Sequence, residues 1–269
     1  MRIGPQTVAV ITGGAHGIGR ALASELNLRG ASVALIDVDR AGLEAAAATL
    51  SRCTTHICDV SDAKAVDDAC KAIARTYGRV HVLVNNAGIS VAGAVETLPP
   101  EHFQRAMAVN FWGVVHCCQA FLPLLRASAI HREPAAICNV LSDFAIMALP
   151  TKAAYACSKY AARAFTEALQ AELDGTGIAV TAAYPGATAT DLVRRGYAVD
   201  PMKQQQESEF LARGMHPETV AVRILRGIER GQGRLLIGRD ARIADLAMRL
   251  SPNLFHFALK RLWRRIPFL

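Results

Sequence analysis

The feature that most constrains this chain is a regular alternation of short apolar runs with helical patterns. "TVAVIT" at 7–12 is apolar throughout, as are "SVALI" at 32–36, "VHVLV" at 80–84, "AAICNVL" at 135–141 and "IAVTAA" at 178–183. Strands that lack polar alternation are buried on both faces. Shorter strand candidates lie at 55–58 and 234–237. Helical patterns fill the gaps at 17–29, 41–50, from a cap at Ser61 to about 78, at 103–125, 155–173 and 217–230, the last with Pro in its first turn. This order predicts right-handed crossovers, and therefore an α/β fold: a doubly wound parallel sheet with helices on both faces. No internal repeat, low-complexity tract or linker divides the 269 residues. One domain is expected over about 1–240, with a basic amphipathic extension over 241–269.

Composition narrows the function classes. Hydrophobic residues make up 52% of the chain and charged residues 20%, enough for a large core and against general disorder. The seven cysteines are odd in number and sit mostly in apolar segments, so they read as reduced thiols in a reducing, cytoplasmic setting. Cys53, His56 and Cys58 lack a second ligand cluster at zinc-site spacing, and no metal is expected. The first residues read as the lead-in to a strand rather than a signal peptide, and no uninterrupted apolar run is long enough to suggest a spanning helix. The net charge of +7 is local: residues 191–269 hold 15 Lys/Arg against 8 Asp/Glu, and the rest of the chain is balanced. A basic surface over the whole domain, as for nucleic acid, is not indicated.

"TGGAHGIG" at 12–19 follows the first strand and opens a helix. Gly13, Gly17 and Gly19 allow a tight turn and a close approach of backbone to a ligand, and a helix start offers free N–H groups to a phosphate. Asp37 stands 18 residues after Gly19, at the end of the second strand. A carboxylate there accepts hydrogen bonds from ribose hydroxyls and repels a 2′-phosphate. His16 and Arg40 could supply positive charge near such a phosphate, but a carboxylate facing it would be costly, so NAD is expected over NADP. Further along, "YACSK" at 155–159 places Tyr155 and Lys159 on one helix face. Alone, that pair fits an amphipathic helix with a snorkelling lysine.

Taken in order, "TGGAHGIG", Asp59-Val60, "NNAG" at 85–88, Asn110, Ser142, "YACSK" and "PGATAT" from Pro185 resemble the short-chain dehydrogenase/reductase family, over about 7–237. The resemblance implies a Rossmann-like catalytic domain with Tyr155 as general acid/base. It implies Lys159 as the group that lowers the phenol's pKa and holds ribose hydroxyls, Ser142 as a hydrogen-bond partner of the substrate oxygen, and Asn110 as the holder of a relay water. It implies cofactor contacts from Gly13, His16, Gly17, Ile18 and Gly19, from Asp37, Asp59 and Val60, from Asn86, Ala87 and Gly88, from Pro185 and Gly186, and from Thr188 and Thr190. Tyr155 and Lys159 also belong to that set. Thr188 stands where an aliphatic residue is usual. Asp143 and Phe144 stand in "LSDFA", where the family often has a second serine and a later glycine, so the pocket wall differs there. The usual homodimer or homotetramer pairs the helices carrying Asn110 and Tyr155.

A substrate lid is expected over about 187–216, with Leu192, Val193, Tyr197 and Met202 facing a lipophilic secondary alcohol or ketone. The tail "SPNLFHFALKRLWRRIPFL" interleaves apolar residues with four cations. It suits either a membrane interface or packing on protein. The competing reading is a non-catalytic dinucleotide-binding regulator or membrane-surface scaffold on the same fold. Intact Asn110, Ser142, Tyr155 and Lys159 argue against it, since pure binding needs no proton-transfer groups.

Overall fold

The protein is described by a computed structural model over residues 1–130 and 133–269. In chain order the elements are β1 (Val8–Thr12), α1 (Gly17–Leu28), β2 (Ser32–Asp37), α2 (Arg40–Ala47), β3 (Cys53–Ile57), α3 (Ala63–Tyr77), β4 (Val82–Asn85) and β5 (Val91–Ala92). There follow α4 (Pro100–Met107), α5 (Gly113–Ile130), β6 (Ala135–Val140), α6 (Ala153–Glu172), β7 (Ile178–Pro185) and β8 (Tyr197–Ala198). The last third holds α7 (Pro201–Leu211), α8 (Pro217–Glu229), β9 (Arg234–Ile237), α9 (Arg239–Leu250) and α10 (Pro252–Leu262).

Seven strands form one sheet in the order β3-β2-β1-β4-β6-β7-β9, and every pairing in it is parallel. The order reverses between β1 and β4, which opens a crevice at the carboxyl ends of the strands, where ligands bind in such sheets. The central strands are fully buried because both faces are covered. On one face, Leu22 and Leu26 of α1 meet Ile224 and Ile228 of α8 beneath Ile11 and Leu35. On the other, Ile73 of α3 and Phe121 and Leu125 of α5 pack on Val10, Leu83 and Ile137.

Several local expectations are corrected. Asp62, not Ser61, caps α3: its carboxylate accepts from the Lys64 and Ala65 amides at 2.8 and 3.2 Å. Ser61 instead donates to Asp59 Oδ1 at 2.7 Å. The expected 103–125 helix runs from Pro100 to Ile130, and a wide π turn at Ala108–Trp112 separates α4 from α5. This stretch is long and apolar enough to cross a membrane, but half of its most apolar window is buried against the sheet. Residues 241–250, expected in the extension, belong to α9, which packs on β9 with Ala241, Ala244 and Asp245 buried. Asp245 forms an ion pair with Arg234 there. The short β5·β8 ribbon and α7 have no counterpart in the sequence pattern.

Candidate active site

The glycine loop is held from beneath by β4. Thr12 Oγ1 accepts from the Asn86 and Ala87 amides at 3.0 Å each. Asn86 Nδ2 donates to the Thr12 and Gly13 carbonyls, both at 3.1 Å. Gly13 has φ +66°, and a Cβ there would lie 2.8 Å from Ala87 Cα. A Cβ on Gly19 would collide with the Gly13 carbonyl oxygen. Both positions need glycine so that the loop can fold flat onto the Asn86–Gly88 segment. No side chain caps α1 at His16, so the N–H groups of Gly17, Ile18 and Gly19 keep the helix-start donors that suit a phosphate.

Asp37 closes this cradle. Its carboxylate accepts from the Ala15 amide and the Asp39 amide, each at 3.1 Å. His16 Nε2 lies 2.7 Å from Asp39 Oδ2, and Arg195 donates to the same oxygen at 3.0 Å. Hydrogen bonds from the Gly42 amide, His16 and Arg195 hold Asp39 well below the usual carboxylate range. The positive charge expected of His16 is therefore matched by a second acid that the sequence motifs do not single out.

Arg195 also shows where the 187–216 segment lies. It reaches from that segment to the loop after β2, while Thr190 sits over Gly17, 3.0 Å from where a Cβ would be. Thr188 is buried, donates to the Gly186 carbonyl at 2.9 Å and pairs with Met215. Asp240 of α9 fills the space beside Gly186 and accepts from the Ala187 amide at 2.6 Å, fixing the turn after Pro185. Val193 is buried, whereas Tyr197 stacks on His102 at the surface and Met202 is 71% exposed, so neither of the last two lines an interior pocket. The inner contact of the 187–216 segment is instead Glu207, in a buried ion pair with Lys152. Asp59 and Val60 lie in the loop just after β3. The Asp59 carboxylate is taken by Ser61 and, at 2.8 Å, by Arg105, and Val60 packs against Gly113 of α5.

At the ends of β4, β6 and α6 the four expected catalytic residues come together. A Cβ on Gly88 would be 3.1 Å from Asn110 Oδ1 and 3.6 Å from Lys159 Nζ. Lys159 donates to the Val140 carbonyl at 3.1 Å, and its Nζ lies 5.8 Å from the centre of the Tyr155 ring. Asn110, in the π turn, is fully engaged. Its Oδ1 accepts from the Ile89 amide at 2.8 Å, and its Nδ2 donates to the Ile89 carbonyl at 3.0 Å and to Ser158 Oγ at 2.9 Å. Ser142 donates to Asp143 Oδ1 at 2.7 Å and accepts from the Phe144 amide at 3.2 Å. Phe144 meets the Tyr155 ring edge-on at 5.6 Å.

The electrostatics differ from the sequence expectation. Lys159 is expected from the motif to lower the Tyr155 pKa, but burial drives the phenol well above its ordinary range. Ser142 beside it acts the other way, and the Asp143 and Glu207 carboxylates raise the value further. Burial also pushes Lys159 down to about 8 and Asp143 up to about 6. The cause is common to all three: a dry environment disfavours whichever form is charged.

Known proteins share this fold. The family model described as short chain dehydrogenase matches residues 7–198. The chain belongs to the short-chain dehydrogenase family. It is an oxidoreductase of that family. SadH of Mycobacterium tuberculosis is 37% identical over 252 residues, covering 90% of this chain and 90% of that protein. D-threitol dehydrogenase of Mycolicibacterium smegmatis is 34% identical over 194 residues, covering 71% of this chain and 73% of its own. Among solved structures, 3-ketoacyl-(acyl-carrier-protein) reductase of Brucella melitensis, complexed with NADH, is 30% identical with a TM-score of 0.77. It covers 86% of this dehydrogenase and 96% of the neighbour. A short chain dehydrogenase of Burkholderia cenocepacia, in complex with NADP, is 26% identical with a TM-score of 0.79, covering 96% and 99%. Among the described residues, no group of three or more His, Cys, Asp or Glu could hold a metal ion.

Sequence reasoning missed Asp39, Lys152, Arg195, Glu207 and Asp240. Each is a charged residue in a polar stretch, where local pattern gives no sign of burial or of a distant partner.

Proposed function

We propose that this chain is an NAD(H)-dependent enzyme that interconverts secondary alcohols and ketones on lipophilic substrates. The observation that carries the reading is the convergence of Ser142, Tyr155 and Lys159 next to a glycine loop closed by the Asp37 carboxylate. The loop fits a dinucleotide: its glycines let it fold flat onto the Asn86–Gly88 segment, the start of α1 keeps free N–H donors for a pyrophosphate, and Asp37 suits ribose hydroxyls. The nicotinamide, when bound, accepts or supplies the hydride. Tyr155, as the phenolate, takes the hydroxyl proton of the alcohol in oxidation and, as the neutral phenol, returns it in reduction. Lys159 has three donors and spends one on Val140, which leaves the others for ribose hydroxyls. Asn110 is a positioning residue, holding the Ile89 backbone so that Gly88 stays beside Lys159.

Asp143 sets the polarity of Ser142. While Asp143 is ionised, the Ser142 proton is committed to it, and Ser142 offers lone pairs to an alcohol or to Tyr155. Its charge also opposes ionisation of Tyr155. Asp143→Asn keeps an acceptor for Ser142 and removes the charge. The rising, acid-side limb of kcat/KM for oxidation should therefore move to lower pH, and an unmoved limb would show that Asp143 does not act on Tyr155. The folded-state pKa of Asp143 is raised to about 6, so its protonated form favours the fold. That contribution is complete below pH 4 and is lost as pH rises through 6.

The cofactor preference rests on Asp37, with Asp39 neutralising His16 and Arg195. kcat/KM measured with one substrate should favour NAD over NADP, and Asp37→Ala should narrow the gap. A native preference for NADP would mean that Arg40 outweighs both acids.

A further inference from the structure

The last two helices present an apolar surface that the rest of the chain does not cover. α9 packs on the domain through Ala241, Ala244 and Asp245, while Ile243, Leu246 and Leu250 are 67, 59 and 76% exposed. Their i, i+3, i+7 spacing puts them on one face. α10 is apolar around most of its circumference, yet none of its residues is buried. Leu254 is 63% exposed, and Phe257 stands half-exposed under the Arg261 guanidinium at 4.0 Å. A helix of that composition gains little by standing in water.

Charge decides what covers it. After Asp245 the chain has Arg249, Lys260, Arg261, Arg264 and Arg265 and no acidic side chain. Among the described residues, the last four make no ion pair, whereas Asp245 is already held by Arg234. A second copy of this chain would bring the same cations together. Nucleic acid would satisfy the cations but leave the leucines and isoleucine in water. An anionic bilayer meets both requirements at once, with apolar groups at the acyl boundary and cations among the headgroups.

The segment beyond α10 is not free. Leu269 is buried, its carbonyl accepts from Lys203 at 2.5 Å, and Phe268 packs on Phe210 with ring centres 5.1 Å apart. Lys203 and Phe210 belong to α7, whose Glu207 faces the catalytic helix. We propose that α9 and α10 dock on an anionic lipid surface, with the Phe268–Leu269 contact holding α7 beside it; the docking does not depend on the lipophilic-substrate reading above.

The test is sedimentation of the full-length protein with vesicles of phosphatidylcholine alone or with phosphatidylglycerol added. Binding is expected to the anionic vesicles only, and to weaken with salt. Lys260→Glu/Arg264→Glu/Arg265→Glu should lower vesicle affinity by about 10²-fold or more, since each cation near such a surface contributes roughly fivefold. Ile243→Ser/Leu246→Ser/Leu250→Ser should also lose binding, with unchanged circular dichroism and thermal transition, because these side chains are exposed. Full-length protein that stays in solution beside anionic vesicles at low salt overturns the proposal. So does a change of oligomer mass in the serine variant without vesicle binding, which would make the face a subunit contact. Vesicle binding with no activity on lipophilic alcohols would retain the docking surface and reject the substrate reading alone.

Discussion

Tyr155→Phe is expected to reduce turnover by about 10²–10⁴-fold, the usual contribution of a positioned acid or base. The substitution keeps the ring that packs against Phe144 and removes only the oxygen. Burial is already complete at this position, and the phenol is held neutral by its surroundings. The variant should therefore fold normally and match the native thermal transition. Titration by intrinsic fluorescence should show NAD(H) affinity close to native. Loss of turnover with retained cofactor affinity assigns the proton transfer to Tyr155. Turnover within a few-fold of native would assign it elsewhere, and equal loss of binding and turnover would make Tyr155 a cofactor contact instead.

The largest effect on stability is expected from the pair that joins α7 to the start of α6. Lys152 and Glu207 are both buried, 1% and 9% exposed at their side chains, and form an ion pair. The adjoining Thr151 has φ +64°, an uncommon conformation for a β-branched residue, and its hydroxyl has no partner. The chain thus accepts local strain at the turn that delivers Lys152 to Glu207. Glu207→Ala leaves a buried ammonium without its counter-ion and should cost about 3–5 kcal/mol. For a domain of this size that is a fall in Tm of about 6–20 °C. Lys152→Met/Glu207→Leu should recover most of the loss, since a packed apolar pair of similar volume replaces the ions without a desolvation cost. Calorimetry of both variants separates the cases, and a single variant within about 0.5 kcal/mol of native would show that the pair is solvated in solution.

The same pair gives a pH signature. Burial lowers the folded-state pKa of Lys152 below its ordinary value, so the unfolded chain binds the proton more readily. Stability from this group therefore rises as pH increases through the folded-state pKa toward 10.5. Once Glu207 is gone the effect should grow, and the deficit of Glu207→Ala should shrink in alkaline buffer.

Much of the candidate site is legible in the sequence because the motifs are local. Tyr155 and Lys159 share a face through helix geometry alone, and Gly13, Gly17 and Gly19 mark a turn through the lack of a side chain. The carboxyl ends of parallel strands then collect Gly13, Asp37, Asn86, Ser142 and Pro185 on one side of the sheet. The Asn110 amide is legible as buried and backbone-bonded, but its partner Ile89 is not. The partners of Asp39, Glu207 and Asp240 lie 156, 55 and 53 residues away. No helical or strand period connects such positions.

The sequence by itself determined the α/β alternation, the buried strands and the order of the motifs, because each follows from short-range periodicity and backbone freedom. The tertiary structure decided the charges around the reacting groups. Tyr155 and Lys159 both lie in a dry crevice, where burial raises the pKa of the one and lowers that of the other. It also decided the fate of the C-terminal segment. The sequence left membrane contact and protein packing as alternatives; the fold packs Phe268 and Leu269 on α7 and leaves α10 uncovered. Leu269 is buried against α7, while Leu254 and Phe257 remain in the open. Amphipathic pattern specifies that a face must be covered; only the position of every other element determines which residues are left over.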